Sequence, residues 1–117
     1  MNTRKYSYEQ EQRIAKLLNG KVNANSGATD FYKGDVRTMA FLVECKTSTS
    51  PCKSVSIKKE WLEKLKEEQF SMGKLECAIG FDFGDGKDYF IIDSKMMKFL
   101  VENYERDVWW FDGITCT

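Results

Sequence analysis

Apolar and polar positions alternate along the chain in two rhythms. In residues 7–19, Ile14, Ala15, Leu17 and Leu18 recur at helical spacing and predict a first helix. Ser7 and Gln10 stand as an S-x-x-Q capping box at its start, with Gly20 as its stop. Residues 21–25 predict a strand, and 26–30 a polar loop. Residues 34–47 read as two short strands joined by a tight turn. The second strand is apolar from Ala40 to Val43 before it changes to Glu44-Cys45-Lys46. A loop over 48–53 carries the only proline, Pro51, and 54–57 predict a short extended piece. A helix then runs from Ile57 to about Met72, with Ile57, Trp61, Leu62 and Leu65 inward and Lys58, Lys59, Glu60, Lys64 and Lys66 largely outward; Gly73 closes it. Residues 75–83 and 87–93 alternate as strands around a Gly84-Asp85-Gly86 turn. A final helix over 94–104 presents Met96, Met97, Leu100 and Val101. The aromatic tail Val108-Trp109-Trp110-Phe111 reads either as a last buried strand or as an exposed dimerisation patch. The order of helix, three strands, helix, two strands and helix predicts an α/β (α+β) layered domain. Its mixed sheet would have about five strands, flanked by helices.

A length of 117 residues suits one domain spanning 1–117. No apolar run approaches the ~20 residues of a membrane span, and the first residues lack the apolar stretch of a signal peptide. A soluble, cytoplasmic protein with no membrane partner is therefore expected. The four cysteines have no CxxC spacing, so free thiols are the expectation. There is no histidine. Ser-His-Asp and Cys-His hydrolases, HEXXH zinc proteases and histidine-based nucleases are thereby excluded. Net charge is zero but uneven: residues 1–66 hold 13 Lys/Arg against 7 Asp/Glu, and residues 67–117 hold 5 against 11. A polyanion-binding side would produce this asymmetry, as would chance, since halves of a chain need not be faces.

Side chains alternate across a strand, so Glu44 and Lys46 share one face while Cys45 points to the other. Asp35 opens the preceding strand and can lie beside them across the hairpin. Two carboxylates and an ammonium at the end of a buried strand are costly to desolvate without a partner, and a divalent cation would supply one. On the first helix Glu11 falls near the centre of the apolar face and Glu9 almost opposite. Glu11 is therefore the candidate for function and Glu9 a solvated residue. Gly27 and Gly34 serve either turn geometry or close approach of a phosphate backbone. Trp61 continues the apolar stripe of its helix, which favours a core role over a base-stacking one. Lys53, Lys58 and Lys59 are candidate phosphate contacts, with a solvated helix face as the alternative.

An Asp followed nine residues later by Glu-x-Lys at the end of an apolar strand, with a helical Glu upstream, resembles the PD-(D/E)XK nuclease superfamily. Within it the chain looks most like the small archaeal and phage Holliday-junction-resolvase-like endonucleases. The matching stretch runs from about Ser7 to Asp93 and includes Glu11, Ser26-Gly27, Asp35 and Glu44-Cys45-Lys46. Gly34 stands where the motif has its proline.

The resemblance implies a restriction-endonuclease-like core and hydrolysis of DNA phosphodiester bonds by Glu11, Asp35, Glu44 and Lys46, leaving a nick with a 5′-phosphate. Asp35 and Glu44, with the main-chain carbonyl of Cys45, would hold Mg²⁺, for which Mn²⁺ would substitute. Glu11 would support a second metal or a water on the first, and Lys46 would act as an electrostatic group. Ser26, Gly27, Lys33, Arg37, Lys53, Lys58 and Lys59 become the DNA-contact candidates. Further implications are a homodimer acting on branched or junction DNA in recombination, and a phage-encoded origin. A nicking, flap or single-strand nuclease would use the same residues. A non-catalytic nucleic-acid-binding module of nuclease fold, or an adaptor using the aromatic tail, are readings from other classes.

Overall fold

The computed structural model describes residues 3–23 and 35–115. Helix α1 spans Thr3–Leu18, followed by β1 (Lys21–Val22), β2 (Val36–Arg37) and β3 (Phe41–Lys46). Helix α2 (Lys59–Ser71) leads to β4 (Glu76–Phe81), β5 (Tyr89–Ile91) and α3 (Ser94–Thr115). The strands form one mixed sheet in the order β1-β2-β3-β4-β5. β3 and β4 pair in parallel, with Glu44 opposite Ile79 and Lys46 opposite Phe81, while the other neighbours pair antiparallel. A parallel pair needs a crossover, and α2 is the crossover here. The fold is thus the layered mixed-sheet architecture that the order of elements predicts.

The two-residue period of β3 divides the core. Val43 is fully buried with Ile14 and Ala15 of α1 and Val36 of β2, with Phe41 and Cys45 packed against them. Leu42 is buried on the opposite face with Leu65 of α2 and Ile79 of β4, against which Trp61 packs. Because Glu44 and Lys46 share parity with Leu42, they emerge on the α2 face. Leu62, expected inward, is 38% exposed.

Several boundaries differ from the sequence expectation. α1 starts a turn before Ser7, so Ser7 and Gln10 do not cap it. Gln10 is instead fully buried, one turn from Ile14, and its amide serves another strand. The chain leaves α1 through Asn19 in the left-handed region (φ 54°), with Gly20 N–H donating to the Ala15 carbonyl at 2.8 Å. Gly20 answers a different need: a Cβ there would lie 2.5 Å from the Arg37 carbonyl, where β2 crosses the helix end. Residues 54–57 form no strand. β1 ends at Val22, and residues 26–30, expected as a loop, lie outside the described residues.

The largest difference is at α3, which continues to Thr115 rather than ending near Tyr104. The tail is helical because nothing between Ser94 and Asp112 breaks a helix, so of its two readings the last buried strand does not form. Met96 and Leu100 line an apolar groove of about 330 Å³ with Leu18, Phe41 and Phe90. Beyond them Val101, Tyr104 and Val108 are exposed. At about 1.5 Å per residue the helix is roughly 33 Å long, and the molecule measures 59 × 34 × 26 Å. Among the described residues no helix is long and apolar enough to cross a membrane.

Gly84 and Gly86 in the β4–β5 turn both have positive φ, 84° and 79°. Only Gly84 is also crowded: a Cβ there would sit 2.5 Å from the Ser50 carbonyl, whereas the space at Gly86 is open. Gly86→Ala is expected to cost about 1 kcal/mol of stability and Gly84→Ala at least about 2 kcal/mol, measured by urea unfolding.

Candidate active site

Asp35 stands immediately before β2, and its N–H donates to the Val43 carbonyl of β3 at 3.0 Å. The Cys45 N–H donates to Asp35 Oδ2 at 2.7 Å, which pins this carboxyl against the end of β3. There it lies within hydrogen-bonding reach of Glu44. The Lys46 ammonium lies 3.8 Å from Glu44 Oε1 and 4.3 Å from the centroid of the Trp61 ring, over its face. Trp61 therefore does two jobs: it packs on the Leu42–Leu65–Ile79 cluster and carries the lysine. Glu44, Lys46 and Trp61, with Lys64, Leu65 and Glu68 of α2, line a cleft of about 160 Å³.

The acids perturb one another. Burial and then the charge of Asp35 push the Glu44 carboxyl up to about 7, against the opposing pull of Lys46. Glu11, half-buried on α1, is also raised to about 7, by burial and then by Asp35. Asp35 is raised by burial despite the Cys45 N–H, Lys46 and its hydrogen bond with Glu44. The Cys45 thiol is pushed up by burial and then by Asp35, Glu11, Glu44 and Asp88, so it stays neutral. Cys45, Cys52 and Cys77 are free thiols, as expected.

Asp35, Glu44 and Lys46 thus meet at the end of the β2–β3 hairpin, and Glu11 of α1 lies close enough to Asp35 to feel its charge. Among the described residues no three His, Cys, Asp or Glu side chains are grouped so as to hold a metal ion by themselves. Any hard cation here would rest on Asp35 and Glu44, the Cys45 carbonyl and water. That sparse oxygen set suits Mg²⁺, which keeps several of its waters. Two half-buried carboxyls with raised proton affinity form a donor set that a cation would relieve.

The DNA-contact candidates fare unevenly. Ser26, Gly27, Lys33 and the neighbouring Gly34 lie outside the described residues. Arg37 is half-buried and its Nη1 donates to Asn23 Oδ1. Lys53, Lys58 and Lys59 are exposed, and Lys58 Nζ lies 5.8 Å from the Trp61 ring, on the side of the cleft. The charge asymmetry is partly spent within the molecule: Lys64 pairs with Glu68, and Lys66 with Asp93 at 3.1 Å.

A second polar constellation was not anticipated. Arg13 Nε donates to Asp88 Oδ2 at 2.6 Å and its Nη2 to Asp88 Oδ1 at 2.8 Å, a bidentate pair. The same Nη2 reaches Asp82 Oδ2 at 2.9 Å. Asp82, nearly fully buried, also accepts from Thr47 Oγ1 at 2.8 Å and from the Gly84 N–H at 3.1 Å. Gln10 Nε2 donates to the Lys46 carbonyl at 2.8 Å. This network ties α1 and the β4–β5 turn to the end of β3, so it fixes the backbone from which Lys46 projects. Its signal in the sequence was Gln10 and Arg13 on the same side of the helix as Ile14, where polar residues need partners.

Compared with known proteins, the chain matches no family model, no curated protein and no solved structure. The reading of the site therefore rests on its geometry and on the motif.

Arg13→Ala leaves two buried aspartates without their cation and is expected to destabilise the protein by about 3 kcal/mol in denaturant unfolding. Glu44 has its ordinary value near 4.5 when unfolded and about 7 when folded. Its stabilising contribution is complete below pH 4.5 and is lost as pH rises through 7. In metal-free buffer the Glu44→Gln variant is thus expected to match wild type at pH 4 and to gain on it steadily up to pH 7, followed by thermal melting.

Proposed function

We propose that the chain is a Mg²⁺-dependent endodeoxyribonuclease, most consistent with a structure-specific enzyme of Holliday-junction-resolvase type. The observation that carries this reading is the Asp35–Glu44 carboxyl pair at the end of β3, buried enough to raise both groups and flanked by the Lys46 ammonium. Such a pair is unfavourable as bare charge and becomes favourable with a hard cation between phosphate and protein. When bound, the ion would supply Lewis acidity toward a phosphate oxygen and a nucleophilic water at neutral pH.

The chain's own residues supply the remainder. The Cys45 N–H holds Asp35 in place, and Gln10 holds the Lys46 carbonyl. Trp61 confines the Lys46 side chain so that its ammonium stands beside Glu44, where it offsets negative charge developing on a phosphorane. Glu11, half-ionised near pH 7, adjusts the charge around Asp35 and can take or release a proton at its carboxyl. Lys58, exposed beside Trp61 at the cleft, and the exposed Lys53 offer cations to a phosphate backbone.

A non-catalytic nucleic-acid-binding module is the second reading, favoured by the absence, among the described residues, of three side chains grouped for a metal. Such a module would bind DNA equally well without Mg²⁺ and never cut it.

The test uses the purified chain with four-way junction, flap, single-stranded and linear duplex DNA, with and without Mg²⁺ or Mn²⁺. Symmetric cuts confined to the junction establish the resolvase reading, equal cleavage of every substrate a general nuclease, and binding without cleavage the module. Asp35→Asn, Glu44→Gln and Lys46→Ala are each expected to keep DNA binding and to lower cleavage at least ~100-fold. Full activity in any of the three would place the site elsewhere.

A further inference from the structure

α3 carries a stripe that the monomer leaves uncovered. Met97, Val101, Tyr104 and Val108 follow one another at intervals of four, three and four residues, the spacing of a coiled-coil seam. Their exposures are 53%, 37%, 72% and 42%, although neighbouring Met96 is half-buried against the sheet. An apolar stripe that a helix does not bury against its own domain calls for another partner.

We infer that this stripe is the seam of a homodimer in which α3 packs antiparallel against α3 of a second copy. The stripe complements itself in that orientation. Centred between Glu102 and Asn103, it sets Met97 against the partner's Val108 and Val101 against the partner's Tyr104. Two-fold symmetry repeats both layers, so all four side chains of each copy are covered. Charge selects the same arrangement. Lys98 and Glu105 flank the stripe on one side, and antiparallel packing puts Lys98 of each copy beside the partner's Glu105. A parallel pair would place Glu105 beside the partner's Leu100 and form no such bridge. Lys98 already lies 3.8 Å from Glu102 of its own helix, so the added carboxylate would extend an existing ion pair. The resemblance noted above implied a dimer but gave no surface for it. This seam stands on the helix alone, whatever reaction the hairpin performs.

The experiment is light scattering on the eluting full-length protein at about 50 μM. The expected mass is twice the 13.6 kDa of one chain. Tyr104→Glu, an exposed position, should elute as a monomer with an unchanged circular dichroism spectrum. Lys98→Glu and Glu105→Lys should each weaken the dimer at least about tenfold, and the double swap Lys98→Glu/Glu105→Lys should recover most of the loss. A single-chain mass for the wild type overturns the proposal, as does a dimeric Tyr104→Glu. Failure of the double swap to recover overturns the antiparallel arrangement. Because the readout is mass, it is independent of whether the protein cuts DNA.

Discussion

Carboxylates crowded at the end of one strand repel each other, and the region around β3 is organised to tolerate that repulsion. Asp35 and Glu44 share a buried edge of the β2–β3 hairpin, and Glu11 approaches from α1. Each would lose its proton near pH 4 in water; here burial raises Asp35, and burial followed by the charge of Asp35 raises Glu44 and Glu11. The Cys45 N–H and the Lys46 ammonium give only partial compensation. The proposed divalent cation would offset this cluster, since hard oxygen donors prefer such an ion.

The cluster stays in place because the strand beneath it cannot move. β3 is the central strand of the sheet, paired on both sides, with Leu42 sealed under α2 and Val43 under α1. Its final residue is held through the Lys46 carbonyl by Gln10, and the adjoining loop by Asp82 through Thr47. Arg13 joins Asp82 and Asp88 across the same region. A buried network of this kind adds little net stability over apolar packing, but it imposes one geometry, because each unmet charge would be severely penalised. The geometry of the carboxylate cluster thus derives largely from residues outside it.

α3 belongs to a different regime. Its first turns set Met96 and Leu100 along the apolar groove beside Phe41 and Phe90, and the remainder carries an apolar stripe into solvent. The core is complete without that stripe, which is why its residues are free to serve contact with another molecule.

The sequence alone determined the order of elements, the hairpin, the second helix and the β4–β5 turn, because those features are written in local periodicity and turn residues. It also pointed to Glu11, Asp35, Glu44 and Lys46, because alternation along a strand and the helical period place side chains without knowledge of distant partners. The tertiary structure decided what depends on contacts between remote segments. Gln10 looked like a cap and is a buried brace for β3; Arg13, Asp82 and Asp88 carried no reading in the sequence and form an ion-pair clamp. Trp61 is at once core and lysine platform, and the aromatic tail, legible as strand or patch, continues a helix. For Gln10, the Arg13 clamp and Trp61 the outcome was fixed by a hydrogen bond or packing partner elsewhere in the fold, whereas the tail followed its own unbroken helical sequence.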